Sequence, residues 1–271
     1  MGGRLNRAWS GCAAAAAALG LLVPAAALAA NTVYLTNGKS IVAKSIQWRD
    51  ATKDYQVEPV DSAGATVPIP LKDVDRLEID RPAAWDKAAQ AISANQPDAA
   101  IPLLEGVIVS HKMLVWDNRA RDALARIYMQ RKNYAKAIAV LQDELANAPK
   151  QAVSPDVRRM YWEALLQTSQ TNALRKELDE AVATGAGGAA AVALVIRGNM
   201  LRDDGHPDEA LADYLGAVLF YEGVKEVQPE ALYKAAELLD DLKDPRAAEY
   251  RALLTQKYGE SDFAKKLADK K

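Results

Sequence analysis

The sequence predicts a mainly helical protein. A solenoid of about five helical hairpins over residues 82–271 follows a small five-stranded β barrel over 30–81 and a signal peptide over 1–29. Three observations carry this. The chain opens on Arg4 and Arg7, then an apolar run from 13 to 28, then Ala27-Leu28-Ala29, the order of a secretory leader with its cleavage pattern. From Asn31 to about Asp80 apolar residues alternate with polar ones between turn signals. Beyond Arg81 the period becomes helical, and Ala100, Ala137, Leu174, Ala210 and Ala248 recur 37, 37, 36 and 38 residues apart.

The leader is too short for a membrane span and contains Pro24. Its removal takes away Cys12, the only cysteine, which excludes disulfides, thiolate metal sites and cysteine nucleophiles from the mature chain. The Ala-rich leader points to export into a bacterial periplasm or cell envelope, with no direct membrane span left after cleavage. A net charge of −2 on 271 residues, −4 once Arg4 and Arg7 are gone, offers no basic excess for phosphates, so no nucleic-acid partner is expected.

In the β segment, "TVYLT" runs into Asn37-Gly38, a pair suited to a type I′ hairpin turn. In "SIVAKSIQW" the apolar parity switches from Ile41 and Ala43 to Ile46 and Trp48, which predicts a bulge near Lys44. "DYQVEPV" alternates, "ATVPIP" places Pro68 and Pro70 where an edge strand needs no donors, and "RLEID" closes the set. "VYLTNGKSIVAKSI" and "VPIPLKDVDRLEI" resemble the SH3-like or Sm-like barrels that precede repeats in exported bacterial proteins. Seven basic and eight acidic residues over 31–81 argue against RNA on this module.

One helical hairpin cannot bury its own apolar stripe, so a near-constant period implies stacked units sharing a core. "RGNMLRDDGHPDEALADYLGAVLF" carries Gly198, Gly205, Ala210, Tyr214 and Ala217, and "LARIYMQRKNYAKAIAVLQDELANAP" carries Leu124, Ala125, Tyr128, Ala137, Leu141 and Pro149. Both resemble the tetratricopeptide repeat, and the resemblance implies a helical solenoid that binds protein partners. The first copy carries Pro102 within its helix, and the third has Leu174 for the small residue.

Residues 203–209 gather Asp203, Asp204, His206, Asp208 and Glu209. The repeat alignment puts them at an interhelical turn, where Gly205 ends one helix and Pro207 starts the next. His111 and His206 are the only histidines and fall in different repeats, so no Ser-His-Asp arrangement assembles. "TGAGGAAA" has no preceding strand and no following Lys-Ser/Thr, so it reads as a connection and not a phosphate loop. No enzyme, cofactor or metal is expected.

The remaining candidate is the concave stripe of the first helices. It holds Arg119, Asp122, Arg126 and Met129, then Asp156, Arg159 and Glu163, then Val195, Asn199 and Arg202, then Tyr233, Glu237 and Asp240. Arg119, Asp122, Arg126, Arg159, Asn199, Arg202 and Tyr233 are the candidate peptide-binding residues, because guanidinium and amide groups suit a peptide backbone or carboxylate. The expected function is a non-enzymatic scaffold or adaptor of the cell envelope, with a structural or self-assembling homo-oligomer as the alternative. Reversing Arg126 and Arg159 together should abolish binding and leave the fold intact.

Overall fold

The alternating segment folds as one antiparallel sheet. The computed structural model describes residues 31–147, 153–185 and 187–269, so the expected leader with Cys12, and Pro149, lie outside the described residues. Strands β1 (Asn31–Leu35), β2 (Ser40–Arg49), β3 (Asp54–Pro59), β4 (Val67–Pro70) and β5 (Val74–Glu78) lie in the order β4-β3-β2-β1-β5. Pro68 and Pro70 sit on an edge strand, and the register shifts between Ala43 and Ser45, both as the alternation predicts. The first hairpin differs from expectation. Only Gly38 takes positive φ (82°), and its N–H donates to the Leu35 carbonyl at 2.9 Å. That is an ordinary turn followed by a left-handed glycine, and type I′ would need positive φ at Asn37 as well.

The sheet does not close into a barrel, which corrects the expectation of one. β4 and β5 remain its two edges. Its apolar face is covered instead by the loop between the second and third helices. Leu114 from that loop is 5% exposed among Val33, Ala43, Ile46, Tyr55, Val57 and Ile69. The Tyr55 hydroxyl donates to the Met113 carbonyl at 3.0 Å, and burial raises its pKa to about 12. Trp116 Nε1 donates to the Ile79 carbonyl at 2.9 Å, and Lys112 pairs with Asp50 at 2.6 Å. A sheet this small needs such a cover to bury enough apolar area.

Behind it stand eleven helices among the described residues, as five tetratricopeptide-like hairpins and a terminal helix. The pairs are α1 (Ala83–Ser93) with α2 (Pro97–Ser110), α3 (Trp116–Gln130) with α4 (Tyr134–Asn147), and α5 (Pro155–Gln167) with α6 (Thr171–Thr184). Then come α7 (Gly187–Asp203) with α8 (Pro207–Phe220), α9 (Gln228–Asp241) with α10 (Ala247–Tyr258), and α11 (Asp262–Asp269) at the end. The repeat marks Ala100, Ala137, Leu174 and Ala210 are all fully buried, and so are Leu104, Leu141, Leu178 and Tyr214 four residues on. The last mark is off by one: Ala247 is 2% exposed, and Ala248 faces solvent.

The backbone repeats more strictly than the sequence. Asn95, Lys132, Ser169, Gly205 and Lys243 all take positive φ at the five hairpin turns. After each, the next N–H reaches back to the helix just ended: Gln96 to Ala91, Asn133 to Tyr128, Gln170 to Leu165, His206 to Leu201 and Asp244 to Leu239, at 2.8–3.0 Å. This bond closes a helix end whose carbonyls would otherwise lack donors. Pro97, Pro155 and Pro207 open the helices α2, α5 and α8, where a missing N–H costs nothing.

Helix α7 is apolar almost all round, and Ala190 through Ile196 are buried without a break. Such a helix belongs inside a stack, and here it packs against α5, α6 and α8. Gly198 makes the packing against α8 possible. A Cβ there would stand 2.6 Å from Tyr214 Cε1, and Tyr214 is fully buried.

Candidate interaction groove

The first helices of the hairpins line one side of the stack, and their facing charges show that it curls toward that side. Neighbouring packed helices lie about 8–10 Å apart. Even so, Arg159 on α5 reaches Glu230 on α9, two hairpins away, at 2.6 Å. Arg126 on α3 faces Asp156 at the start of α5 at 3.4 Å, and Arg202 on α7 meets Asp241 at 2.9 Å and Glu237 at 3.5 Å on α9.

These pairings divide the groove. Beyond α5 it is filled by the protein itself. Arg159 and Glu230 are only 21% and 14% exposed at their side chains, so the pair spans α7 as a strap. Val195 is fully buried beneath it. Asn199 accepts a hydrogen bond from the buried Tyr214 hydroxyl at 2.9 Å, and burial raises the pKa of that phenol. Tyr233, placed in the stripe by its spacing, is 6% exposed and packs on Phe263 of α11, with centroids 5.6 Å apart. Asp240 pairs with Arg251 of its own hairpin. The expectation that reversing Arg126 and Arg159 would spare the fold is therefore corrected, since reversing Arg159 sets two half-buried acids against each other.

Between the sheet and α5 the stripe is open. Arg126 and Asp156 are both more than half exposed. Asp122 is half-buried, with Oδ1 lacking a hydrogen-bond partner. Burial raises its pKa, with Asp156 adding to the shift and Arg126 opposing it. Behind it, Glu144 of α4 is 5% exposed, and its Oε2 has no partner. Burial, helped by Asp122, pushes the Glu144 carboxyl up to about 8.

Arg119 is exposed and lies over the Trp116 ring, 4.6 Å from its centroid. Trp116 is fixed by its bond to Ile79 and by Trp85, 5.3 Å away, and Arg81 approaches the same ring at 5.9 Å. Sequence reasoning found Arg119 by helical spacing and missed Trp85, Trp116 and Arg81. The available signal was a tryptophan at or near the start of two successive first helices.

The loop entering α3 is held from below. Asp117 Oδ2 accepts from the Met113 N–H at 2.7 Å and from Arg121 Nη1 at 2.9 Å, and Arg121 also reaches Asp143 at 2.7 Å. Asp117 and Arg121 are 2% and 4% exposed. The buried pair thus ties the sheet's cover to the second hairpin.

The acidic stretch at 203–209 is a turn, as expected. Gly205 has φ 84°, Pro207 starts α8, and Asp204 pairs with Arg175. His206 approaches Glu209 at 3.3 Å, both more than half exposed. Among the described residues no three His, Cys, Asp or Glu side chains converge as metal ligands would, and no helix is long and apolar enough to cross a membrane.

No protein-family model matches the chain, and no curated protein matches it. Among solved structures, TTC0263, a thermophilic TPR protein of Thermus thermophilus, is 18% identical, with a TM-score of 0.46 over 69% of this chain and 98% of that one. MamA from Desulfovibrio magneticus RS-1, from residue 41 to its end, is 15% identical with a TM-score of 0.45 over 66% and 95%. The type IV pilus biogenesis factor PilW is 15% identical with a TM-score of 0.38 over 70% and 100%. At these levels the architecture stands on the chain's own five hairpins.

Proposed function

We propose that this protein is a non-enzymatic scaffold that holds a segment of a partner protein in the open half of its groove. The observation that carries the reading is the contrast along one stripe: the Arg159–Glu230 pair beyond α5 is largely buried, whereas beside the sheet Arg119 stands exposed and the Arg126–Asp156 pair is more than half exposed. The binding surface is therefore Arg119, Asp122 and Arg126 with the Trp116 seam. Arg159, Asn199, Arg202 and Tyr233 hold the stack together. The basic-then-apolar opening ending in Ala27-Leu28-Ala29 supports export to the periplasm or cell envelope. A mature chain starting at Ala30 is the expected result of N-terminal sequencing.

The test is site-specific photocrosslinking in intact cells. A photoreactive residue at position 119 should give a discrete heavier product with another protein. The same residue at position 176, on the outer face of α6, should not. Equal products from both positions would contradict the groove assignment.

A second reading has its own observation. Leu219 and Phe220 at the end of α8 are 64% and 80% exposed, beside a cleft of about 190 Å³ lined by Leu232, Leu253 and Tyr258. Exposed apolar groups of this size mark association sites. Self-association through them would make the protein a homo-oligomer, and sedimentation velocity across micromolar concentrations decides it: a constant monomer excludes that role.

A further inference from the structure

Among the described residues, Arg119 stands in no ion pair with a carboxylate and contacts an aromatic ring instead. Twelve others stand in ion pairs: Arg126, Arg159 and Arg202 in the groove, and the rest elsewhere on the sheet and helices. Arg158 also has its own interaction. Arg119 is not loose, however. Its guanidinium lies over a tryptophan that is 6% exposed and hydrogen-bonded to Ile79, just beyond β5.

A second guanidinium, Arg81, flanks the same ring. Its only ion pair is a 3.4 Å contact with Asp86, and both side chains are about half exposed or more. Exposed pairs of that kind contribute little and exchange readily. The half-buried Trp85 packs on the same ring, and the exposed Val115 directly precedes Trp116 in the chain. Val115 itself is held at φ 75° and ψ −48°, with the Trp116 N–H donating to the Leu114 carbonyl at 2.9 Å. A β-branched residue in that turn is strained, and it persists because Leu114 on one side and Asp117 on the other fix the loop.

We propose that this seam between sheet and α3 binds an acidic segment of the partner protein. Arg119 and Arg81 take Asp or Glu side chains, and Trp85 and Val115 take an adjacent large apolar residue. This rests on the scaffold reading and names the chemistry of what the scaffold holds. The charge logic selects the partner: the site offers two cations around one ring and one weakly held carboxylate. A run of acids fits two guanidiniums, whereas a lone C-terminal carboxylate fits one. Contact with the Trp116 ring restrains the Arg119 side chain before binding, so less side-chain freedom is lost when a carboxylate arrives.

The experiment is selection of an end-blocked 12-residue peptide library on the purified protein. Arg119→Glu, Arg119→Lys and the outer-face variant Lys176→Glu are run alongside, and circular dichroism melts show that each is folded. The expected result is enrichment of peptides with two or more Asp or Glu residues next to Leu, Ile or Phe. Their affinity should fall tenfold or more for Arg119→Glu, fall less for Arg119→Lys, and stay within twofold for Lys176→Glu. Enrichment of basic or purely apolar peptides, indifference to Arg119→Glu, or no enrichment would overturn the proposal. Peptides of another composition would leave the scaffold reading standing, and the crosslinking at position 119 judges that reading separately.

Discussion

The two halves of the groove are built from the same helical spacing and end in opposite states. Near the sheet, α3 presents Arg119 and Arg126 to solvent. Past α5, the equivalent stripe is covered. The difference lies beside α7, rich in alanine and valine, where Arg159 of α5 meets Glu230 of α9. A stripe is thus a ligand surface only where its neighbours stand too far apart to fill it.

The closed half breaks most readily at Gly198. Gly198→Val sets side-chain atoms against Tyr214 and the Ala210 carbonyl and should cost about 3 kcal/mol or more. Hydrogen exchange should show α7 and α8 opening while α3 keeps its protection. Equal loss along the stack would mean that the halves are not separable.

The open half should respond to pH through Glu144. Its folded pKa of about 8 lies above the ordinary 4.5, so the fold binds this proton more tightly than the unfolded chain does. The stabilisation is full below pH 4.5 and is lost as pH rises through 8, at most about 5 kcal/mol in all. Glu144→Gln should flatten the denaturation profile between about pH 5 and 9 and exceed the parent in stability at about pH 9. An unchanged slope would place the pH response elsewhere.

The turns give the smallest effects. Gly205→Ala, at φ 84°, should cost about 1 kcal/mol in the closed half. Lys132→Gly, relieving φ 56° in the open half, should gain up to about 1 kcal/mol. Urea melts resolve both, and a gain from Gly205→Ala would contradict the shared turn geometry.

Much of this fold was legible. A constant period located all five hairpins, and Gly205-His206-Pro207 announced its turn, because glycine and proline restrict the backbone locally. Asn95, two residues before Pro97, carries a weaker form of the same mark, whereas Lys132, Ser169 and Lys243 are residue types that do not announce a left-handed turn. Barrel closure was misread because Leu114, which covers the sheet, lies in a loop between helices. Strand alternation cannot say what an apolar face packs against.

The groove was legible by face and not by fate. Spacing placed Val195 and Tyr233 in one stripe, and it could not show that both would be buried, Tyr233 against Phe263 of α11. Arg126, Arg159 and Arg202 find their acids 30, 71 and 39 residues away, a range at which no local pattern distinguishes a paired cation from a free one.

A double-mutant cycle on Arg159 and Glu230, measured by urea denaturation beside the Arg126–Asp156 cycle, tests the division of the groove most directly. The half-buried strap should show a coupling of about 1–2 kcal/mol, and the exposed pair less than about 0.5 kcal/mol. Near-zero coupling between Arg159 and Glu230 would mean that α5 and α9 do not meet, and the groove would be open along its whole length.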